Sequence, residues 1–341
     1  MPKPYLLETL QKGTFQTGIR MKPKTLASSL LVTLSATLAG CAGFNQTSSQ
    51  VVIRHPGDHT FSAPESNVPW ATADHDFAWL AEAAYGHTVS PEMKAQVAQQ
   101  KTSPCADPEA VLHNDGWKIW NGFPNDGLLN QFSETNLRVE VWSRPNPPQV
   151  AVAFGGTVFT NWKDWIANLR WFIPIHDDEY TAVVKLFGPA FVTEFEKRKN
   201  DPAWSYVKDA KLYSAGHSLG GGLAQEFAYS LPPSSSVPRV AEVYAFDPSP
   251  VTGYFSVDST IRDKNKEGLV IYRIYERGEI LAYIRLVTNF FVPPPEVDPA
   301  VWTIRYAFDH DPNPIDSHSI QELACGMEMA IRGNNESGAT K

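Results

Sequence analysis

Cysteine and positive charge are both scarce in this chain. It has 3 cysteines in 341 residues, and none of them stands in a Cys-x-x-Cys pair, which excludes the usual thiol-redox and zinc motifs. The formal net charge of −8 argues against binding of nucleic acid and against electrostatic docking to anionic lipid. Internal repeats and low-complexity blocks are absent as well. These absences favour an ordinary globular protein whose chemistry depends on its polar side chains.

The first forty residues have the pattern of a targeting signal. A basic stretch at 21–24 precedes a small-residue and apolar run at 25–38, which is too short to span a bilayer. The Leu-Ala-Gly-Cys box that ends at Cys41 resembles a bacterial lipoprotein signal. That resemblance implies acylation of Cys41 and a lipid-anchored location in the bacterial envelope, at the outer membrane, facing the periplasm or the surface. The alternative is an ordinary cleaved signal with an incidental cysteine.

We therefore divide the chain into a signal peptide at 1–40, a lipidated cysteine with a flexible tether at 41–70, and a folded domain at 71–341. Residues 1–20 stand upstream of a complete signal, so we also consider Met21 as the true start. Removal of residues 1–40 moves the formal net charge from −8 to −12. The two remaining cysteines, Cys105 and Cys325, either pair in an oxidising envelope or stay as two buried thiols.

Short β-rich runs alternate with helical patterns along the folded part, which predicts an α/β domain with a mostly parallel, doubly wound sheet flanked by helices. Ligands then collect at the carboxyl ends of the strands. The predicted strands cover 116–120, 137–142, 150–154, 211–214, 240–246, 269–275 and 301–308. The first two alternate apolar and polar residues, which predicts one wet, solvent-facing side for each. Predicted helices cover 77–85, capped by Asp74 or Asp76, the segment after Ser218, and 317–332, ended by Gly333.

The most informative motif is Gly216-His-Ser218-Leu-Gly220, which follows a short apolar strand and precedes a helix. This is the setting of a nucleophile elbow, in which a sharp turn presents one serine hydroxyl above a sheet. The two glycines leave room where the turn presses backbone against backbone. The sequence therefore predicts Ser218 as a nucleophile.

An acyl-transfer serine also needs donors for the oxyanion of its tetrahedral intermediate. The buried strand at 150–154 runs into Gly155-Gly-Thr157, whose glycines permit close approach. We expect one donor from Thr157 and a second from the backbone N–H of Leu219, just after the nucleophile.

These motifs together resemble the class 3 (fungal-type) lipase family of the α/β-hydrolase fold. The resemblance rests on Phe154-Gly-Gly-Thr157, the Asn-Trp and Asp-Trp pairs after it, and Gly-His-Ser-Leu-Gly-Gly. It implies that the segment after the oxyanion loop is an amphipathic lid. The alternative is a helix that packs permanently on the core. The lid candidates are Trp162, Trp165, Ile166 and Leu169.

The resemblance implies a triad in the order serine, acid, histidine. Glu279 stands where the family has aspartate, and Asp247, at the end of the strand after the nucleophile helix, is the alternative acid. His318 opens the final helix and is the expected base, with His310 as the alternative. We expect no metal, because His310, Asp316 and His318 lack a recognised ligand spacing.

The expected function is a serine ester hydrolase acting on lipid acyl esters, of triacylglycerol lipase or phospholipase A type. It implies no cofactor, a lipid or ester substrate, and membrane contact through acylated Cys41; the oligomeric state is left open. The alternative of another class is a non-catalytic lipid-anchored lipoprotein that uses the hydrolase fold as a binding scaffold. Acyl transfer to an alcohol in place of water would use the same residues.

Overall fold

A nine-stranded sheet forms the centre of the chain. The computed structural model describes residues 46–86, 107–156, 179–278, 298–308 and 318–339, and the side chains up to 334. Its strands are β1 (Gln50–Arg54), β2 (Glu65–Ser66), β3 (Lys118–Ile119), β4 (Val139–Pro145), β5 (Pro148–Phe154), β6 (Lys211–His217), β7 (Val240–Phe246), β8 (Val270–Glu276) and β9 (Ala300–Tyr306). Their order in the sheet is β2-β1-β9-β8-β7-β6-β5-β4-β3.

The five strands from β5 to β9 are parallel to one another, and antiparallel strands close both edges. The parallel strands are nearly continuous apolar runs, as expected for strands covered on both faces. The predicted α/β class with a mostly parallel sheet is therefore confirmed. The wet face predicted for the 137–142 strand is wrong, because Arg138 and Glu140 are only 6% and 2% exposed.

Helices cover the sheet on both faces. They are α1 (Val68–Ala83), α2 (Pro108–Asn114), α3 (Asp126–Thr135), α4 (Glu179–Ala182), α5 (Gly188–Lys199), α6 (Leu219–Ser230), α7 (Ser259–Asn265) and α8 (Ile320–Ala339). A π turn at Val183–Phe187 joins α4 to α5, and a 3-10 helix at Pro202–Asp209 precedes β6. One core lies between the sheet and α5 and α6, and the other between the sheet and α1 and α8. Among the described residues, no helix combines the length and the apolar character needed to cross a membrane.

The folded unit begins earlier than predicted. It starts at Gln46, and β1 pairs with β9 inside the region that the sequence assigned to the tether at 41–70. Val51, Val52 and Ile53 are at most 1% exposed, so this short apolar strand contributes to the core. Its five residues carry too little periodicity to be separated from a tether by pattern alone.

The first and last helices also differ from the prediction. α1 begins at Val68, so Asp74 lies inside the helix and does not cap it. α8 continues through Gly333, because an exposed glycine weakens a helix by only about 1 kcal/mol and does not end it. Its apolar residues Ile320, Leu323 and Met327 are buried in the core shared with α1. Cys325 on this helix is disulfide-bonded, and both other cysteines lie outside the described residues.

A buried carboxyl group joins α1 to the sheet. Asp74 is 1% exposed, and its Oδ2 accepts a hydrogen bond of 2.7 Å from the Tyr306 hydroxyl on β9. Burial raises the pKa of Asp74 from 3.8 to about 7, and the bond from Tyr306 opposes this shift only in part. The carboxyl therefore keeps its proton in the folded protein at pH values where the unfolded chain has lost it.

We expect Asp74 to make the protein less stable as the pH rises. Its folded pKa lies above the unfolded value, so its contribution is fully present below about pH 4 and is lost as the pH rises through about 7, by about 1.4 kcal/mol per pKa unit. Asp74→Asn keeps an acceptor for Tyr306 and should flatten this dependence and stabilise the protein above pH 7. Urea denaturation between pH 4.5 and 8.5 measures it, with exposed Asp58→Asn as control. An equal pH slope in Asp74→Asn and the wild type would contradict the assignment.

Candidate active site

Ser218 stands at the turn between β6 and α6 in a strained conformation. Its φ of 56° and ψ of −121° are rare for a residue with a side chain. Its N–H donates to Phe246 O at 2.9 Å, and its carbonyl accepts from the N–H groups of Gly221 at 3.1 Å and Ser249 at 2.9 Å. The backbone of β7 and the loop after it therefore hold this turn, which has the geometry predicted for a nucleophile elbow.

Two glycines make the elbow sterically feasible. A Cβ on Gly216 would overlap the carbonyl of Gly220, and a Cβ on Gly220 would overlap the carbonyl of Phe154 at the end of β5. The prediction that these positions need glycine is confirmed. The absence of side chains at these positions lets β5, β6 and the start of α6 come into close contact. Backbone packing therefore positions Ser218, and its own side chain does not.

His318 approaches Ser218 from the far end of the chain. Its Nε2 lies 3.1 Å from Ser218 Oγ, within hydrogen-bonding distance, across 100 residues of sequence. His318 lies two residues before the start of α8, and that helix is fixed by the core it shares with α1. The sequence-predicted nucleophile and base are thus brought together. For Nε2 to accept the serine proton, the other ring nitrogen must carry a proton and face an acceptor.

Asp247 lies close to both histidines of the site. It follows β7, is fully buried and has a φ of 40°. Its Oδ2 is 3.8 Å from His217 Nε2, and ligand atoms of Asp247, His217 and His318 all lie within 4.8 Å of one another. Of the two acids weighed from the sequence, Asp247 is therefore the one that the described structure brings to the site.

His217 is held from its other side by Tyr85. The Tyr85 hydroxyl lies 2.8 Å from His217 Nδ1, and it also lies against Gly156, where an added Cβ would overlap it. Burial raises the pKa of Tyr85 well above its usual value, so the phenol stays protonated. The hydroxyl donates to Nδ1 in the tautomer that carries its proton on Nε2, the nitrogen that faces Asp247, and accepts from Nδ1 in the other tautomer. The ring centroids of His217 and His318 lie 4.7 Å apart, with the ring planes tilted by 48°.

The loop after β5 is pinned beside the elbow. Arg138 Nη1 donates to Gly156 O at 2.8 Å, and Gly155 N–H donates to Arg138 O at 3.1 Å. A Cβ on Gly156 would come within 2.6 Å of His217 O, so the loop presses directly on the elbow. Leu219 is the first residue of α6, and its N–H has no acceptor within the helix. The loop and the helix start therefore flank Ser218, where oxyanion donors are needed.

Several predicted residues lie outside the described part of the chain. They are Cys41, Thr157, the lid candidates Trp162, Trp165, Ile166 and Leu169, the acid candidate Glu279 and the alternative base His310.

The sequence reasoning missed Tyr85 and Arg138. The helical pattern identifies Tyr85 only as the last residue of a packing helix. The alternating pattern places Arg138 on the solvent-facing side of its strand. Their hydrogen bonds reach residues about 20 to 130 positions away in the sequence. The available signals were a tyrosine beside Gly86 and a cationic residue within a buried strand.

Two groups of side chains in the described ranges are close enough to share a cation. One is His217, Asp247 and His318; the other is His75, Asp76 and Asp115 on the α1 side. In the first group, the imidazoles of His217 and His318 already form hydrogen bonds with Tyr85 and Ser218. In the second, His75 Nε2 contacts Glu328 of α8 at 2.5 Å. Both groups have partners that need no metal.

Comparison with known proteins gives only a distant likeness. No protein-family model matches the sequence, and comparison with curated proteins gives no match either. Among solved structures, the chain is similar to the lipase of Rhizomucor miehei in its native propeptide complex, with 16% identity, a TM-score of 0.39, and coverage of 69% of this chain and 67% of that one. It is also similar to lipase II from Rhizopus niveus, with 14% identity, a TM-score of 0.35, and coverage of 70% and 78%. No residue's role is assigned from these similarities.

The elbow glycines provide a direct test of the packing. Gly216→Ala should destabilise the protein by about 3 kcal/mol or more, because its Cβ overlaps backbone that cannot move without breaking the elbow. Gly333→Ala is the matched control, since nothing lies within 4 Å of its added Cβ, and should be neutral or stabilising by up to about 1 kcal/mol. Urea denaturation measures both variants. Equal stability of the two variants would show that the turn is not as close-packed as described.

Proposed function

We propose that the chain is a serine carboxylic ester hydrolase that acts on acyl esters of lipids. The observation that carries the proposal is the 3.1 Å approach of His318 Nε2 to Ser218 Oγ, at a serine whose φ is 56°. A serine hydroxyl becomes a useful nucleophile only when a base lies within hydrogen-bonding reach. The strained turn and the imidazole from a distant segment together support this chemistry more strongly than either does alone.

In the proposed reaction, Ser218 Oγ attacks the ester carbonyl carbon and its proton passes to His318 Nε2. The carbonyl oxygen becomes an oxyanion, which the N–H groups of Leu219 and Thr157 stabilise. The intermediate then breaks its bond to the alcohol, which leaves with the proton from His318. Water repeats the sequence on the acyl-enzyme, and His318 again takes and returns the proton.

Tyr85 and Arg138 would act as positioning residues in this reaction. Arg138 holds the Gly156 carbonyl at 2.8 Å, and Tyr85, which lies against Gly156, contacts His217 beside the nucleophile. The oxyanion loop and the elbow are thereby fixed relative to each other. This matters because loss of one oxyanion donor typically lowers turnover by about 10²–10³.

The lipid substrate is proposed from the sequence. The aromatic, amphipathic segment around Trp162 and Trp165 favours a lipid substrate, and the lipoprotein-like signal ending at Cys41 favours a membrane-tethered enzyme. Acyl chains on Cys41 would bring Ser218 to esters that are themselves in a membrane.

A serine-directed fluorophosphonate probe tests the nucleophile. We expect the wild type to be labelled and Ser218→Ala to be unlabelled, because the probe reacts only with an activated serine. Ser235→Ala is the matched control, since this serine is exposed in a loop, and it should label like the wild type. Wild-type protein that is folded yet unlabelled, also in the presence of lipid, would favour the non-catalytic scaffold.

Exchange of each carboxylate for its amide distinguishes the two candidate acids. We propose Glu279 as the triad acid, so Glu279→Gln should lower kcat by about 10³–10⁴. Asp247→Asn, the matched variant, should retain more activity. Steady-state rates on soluble short-chain esters and on dispersed long-chain lipids measure both effects. Full activity of Glu279→Gln would transfer the role to Asp247, and a clear preference for soluble short esters would contradict the lipid substrate.

A further inference from the structure

Four arginines gather at the β1 side of the sheet, although the chain as a whole is acidic. We call Arg54, Arg273, Arg277 and Arg305 the arginine cluster. Arg305 is close enough to Arg277, and Arg273 to Arg54, for each pair to repel electrostatically. Within the described ranges, none of the four forms an ion pair with a carboxylate. Glu276 attracts Arg305 electrostatically, but a group of four arginines without a direct ion pair to a described carboxylate is unusual in a protein with a net charge of −8.

Strand register explains how these residues meet. Arg54 on β1 lies opposite Thr303 on β9, and Thr303 lies beside Arg273 on β8. Arg305 is two residues beyond Thr303 and therefore points to the same face of the sheet. Neighbouring strands are about 4.8 Å apart, so the three guanidinium groups are within reach of one ligand. The sequence alone does not indicate that these arginines meet, because they belong to three different strands.

The side chains of the cluster are held in place but not neutralised. Arg54 is 8% exposed; its Nη2 donates to Thr303 Oγ1 at 2.8 Å, while its Nε is buried with no hydrogen-bond partner. Arg273 donates to Gln225 Oε1 at 3.1 Å. The ring of Phe61 lies 5.7 Å from the Arg54 guanidinium and 4.8 Å from that of Arg305. Neutral acceptors and an aromatic ring orient the cations, which form no direct ion pair with a described carboxylate.

Burial lowers the pKa of Arg273 and of Arg305, which indicates that their charged forms are partly desolvated. A desolvated cation that lacks a counter-ion costs stability, and a bound anion would recover that cost. Planar guanidinium groups suit the oxygens of phosphate, which they bind in pairs of parallel hydrogen bonds. The chemistry of the cluster therefore favours a phosphate group.

The start of the folded unit indicates where that phosphate comes from. Arg277 Nη1 donates to Gln46 O at 3.0 Å, and Gln46 Nε2 donates to Arg305 O at 2.8 Å. Cys41 precedes Gln46 by five residues, which span at most about 18 Å when fully extended. A chain anchored at Cys41 would therefore keep the cluster near lipid headgroups. An extended polyanion such as nucleic acid would meet the acidic remainder of the domain.

We infer that the arginine cluster is a binding site for the phosphate of anionic phospholipid headgroups, which holds this edge of the domain against the membrane. The site goes beyond the proposed ester hydrolysis, and its assignment to lipid headgroups rests on the membrane tether at Cys41 proposed above. Because Arg277 follows the carboxyl end of β8, the bound edge is the one at which Ser218 lies at the end of β6.

Vesicle sedimentation tests this inference without relying on catalysis. The full-length chain carries Ser218→Ala, to prevent lipid hydrolysis, and Cys41→Ser, to remove any acyl chain. Vesicles contain either phosphatidylcholine alone or equal parts of phosphatidylcholine and phosphatidylglycerol. We expect the protein to bind the anionic vesicles more tightly, and Arg273→Gln with Arg305→Gln to weaken this binding about tenfold. High salt should weaken it as well.

Arg239→Gln is the matched control, because Arg239 pairs with Glu267 at 3.4 Å before β7, at the opposite end of the strands. It should bind the anionic vesicles like the parent chain. Arg305→Lys retains the charge and should keep most of the binding, which separates charge from misfolding. A second arm adds inorganic phosphate alone and follows the thermal unfolding midpoint. Stabilisation by phosphate without preference for anionic vesicles would overturn the lipid assignment, and equal vesicle binding by all variants would overturn the site.

Discussion

Ser218 keeps a left-handed backbone between a parallel strand and a helix, and the arrangement of the site follows from that requirement. The conformation costs about 1–3 kcal/mol and persists only where its surroundings hold it. Here the carbonyl of Phe246 and the N–H groups of Gly221 and Ser249 hold it. These groups belong to β7, to α6 and to the loop after β7, so the strain is distributed over three elements. The sheet can position one hydroxyl accurately because its parallel strands end at the same edge.

Residues that adjoin the first and the last described helices meet at this edge. The helix α1 delivers Tyr85 to His217, and α8 delivers His318 to Ser218. The two helices pack on each other in one core and are joined further by the contact of His75 with Glu328 at 2.5 Å. Ser218 and His318 are 100 residues apart, so their distance depends on that helix pair. Destabilisation of the α1–α8 interface would therefore separate Ser218 from His318 before it unfolds the sheet.

Local patterns in the sequence predict what is local in the structure. The buried strands, the elbow and its glycines follow from apolar runs and from steric limits on a sharp turn, and the structure has them where expected. The short strand β1 and the continuation of α8 through Gly333 were not predicted, because tertiary packing decides both. Tyr85 and Arg138 were missed for a related reason: their hydrogen bonds join segments whose proximity no periodicity records.

Charge illustrates the same limit and connects the site to its surroundings. A net charge of −8 describes the average surface, and the average argued against contact with anionic lipid. Strand register, however, places Arg54, Arg273 and Arg305 on one face, where they form no direct ion pair with a carboxylate within the described part of the chain. The acidic remainder would be repelled by an anionic surface while this face would be attracted. A domain with that charge asymmetry would be oriented as well as tethered, so a single anchor at Cys41 and a few arginines would together determine which edge meets the lipid.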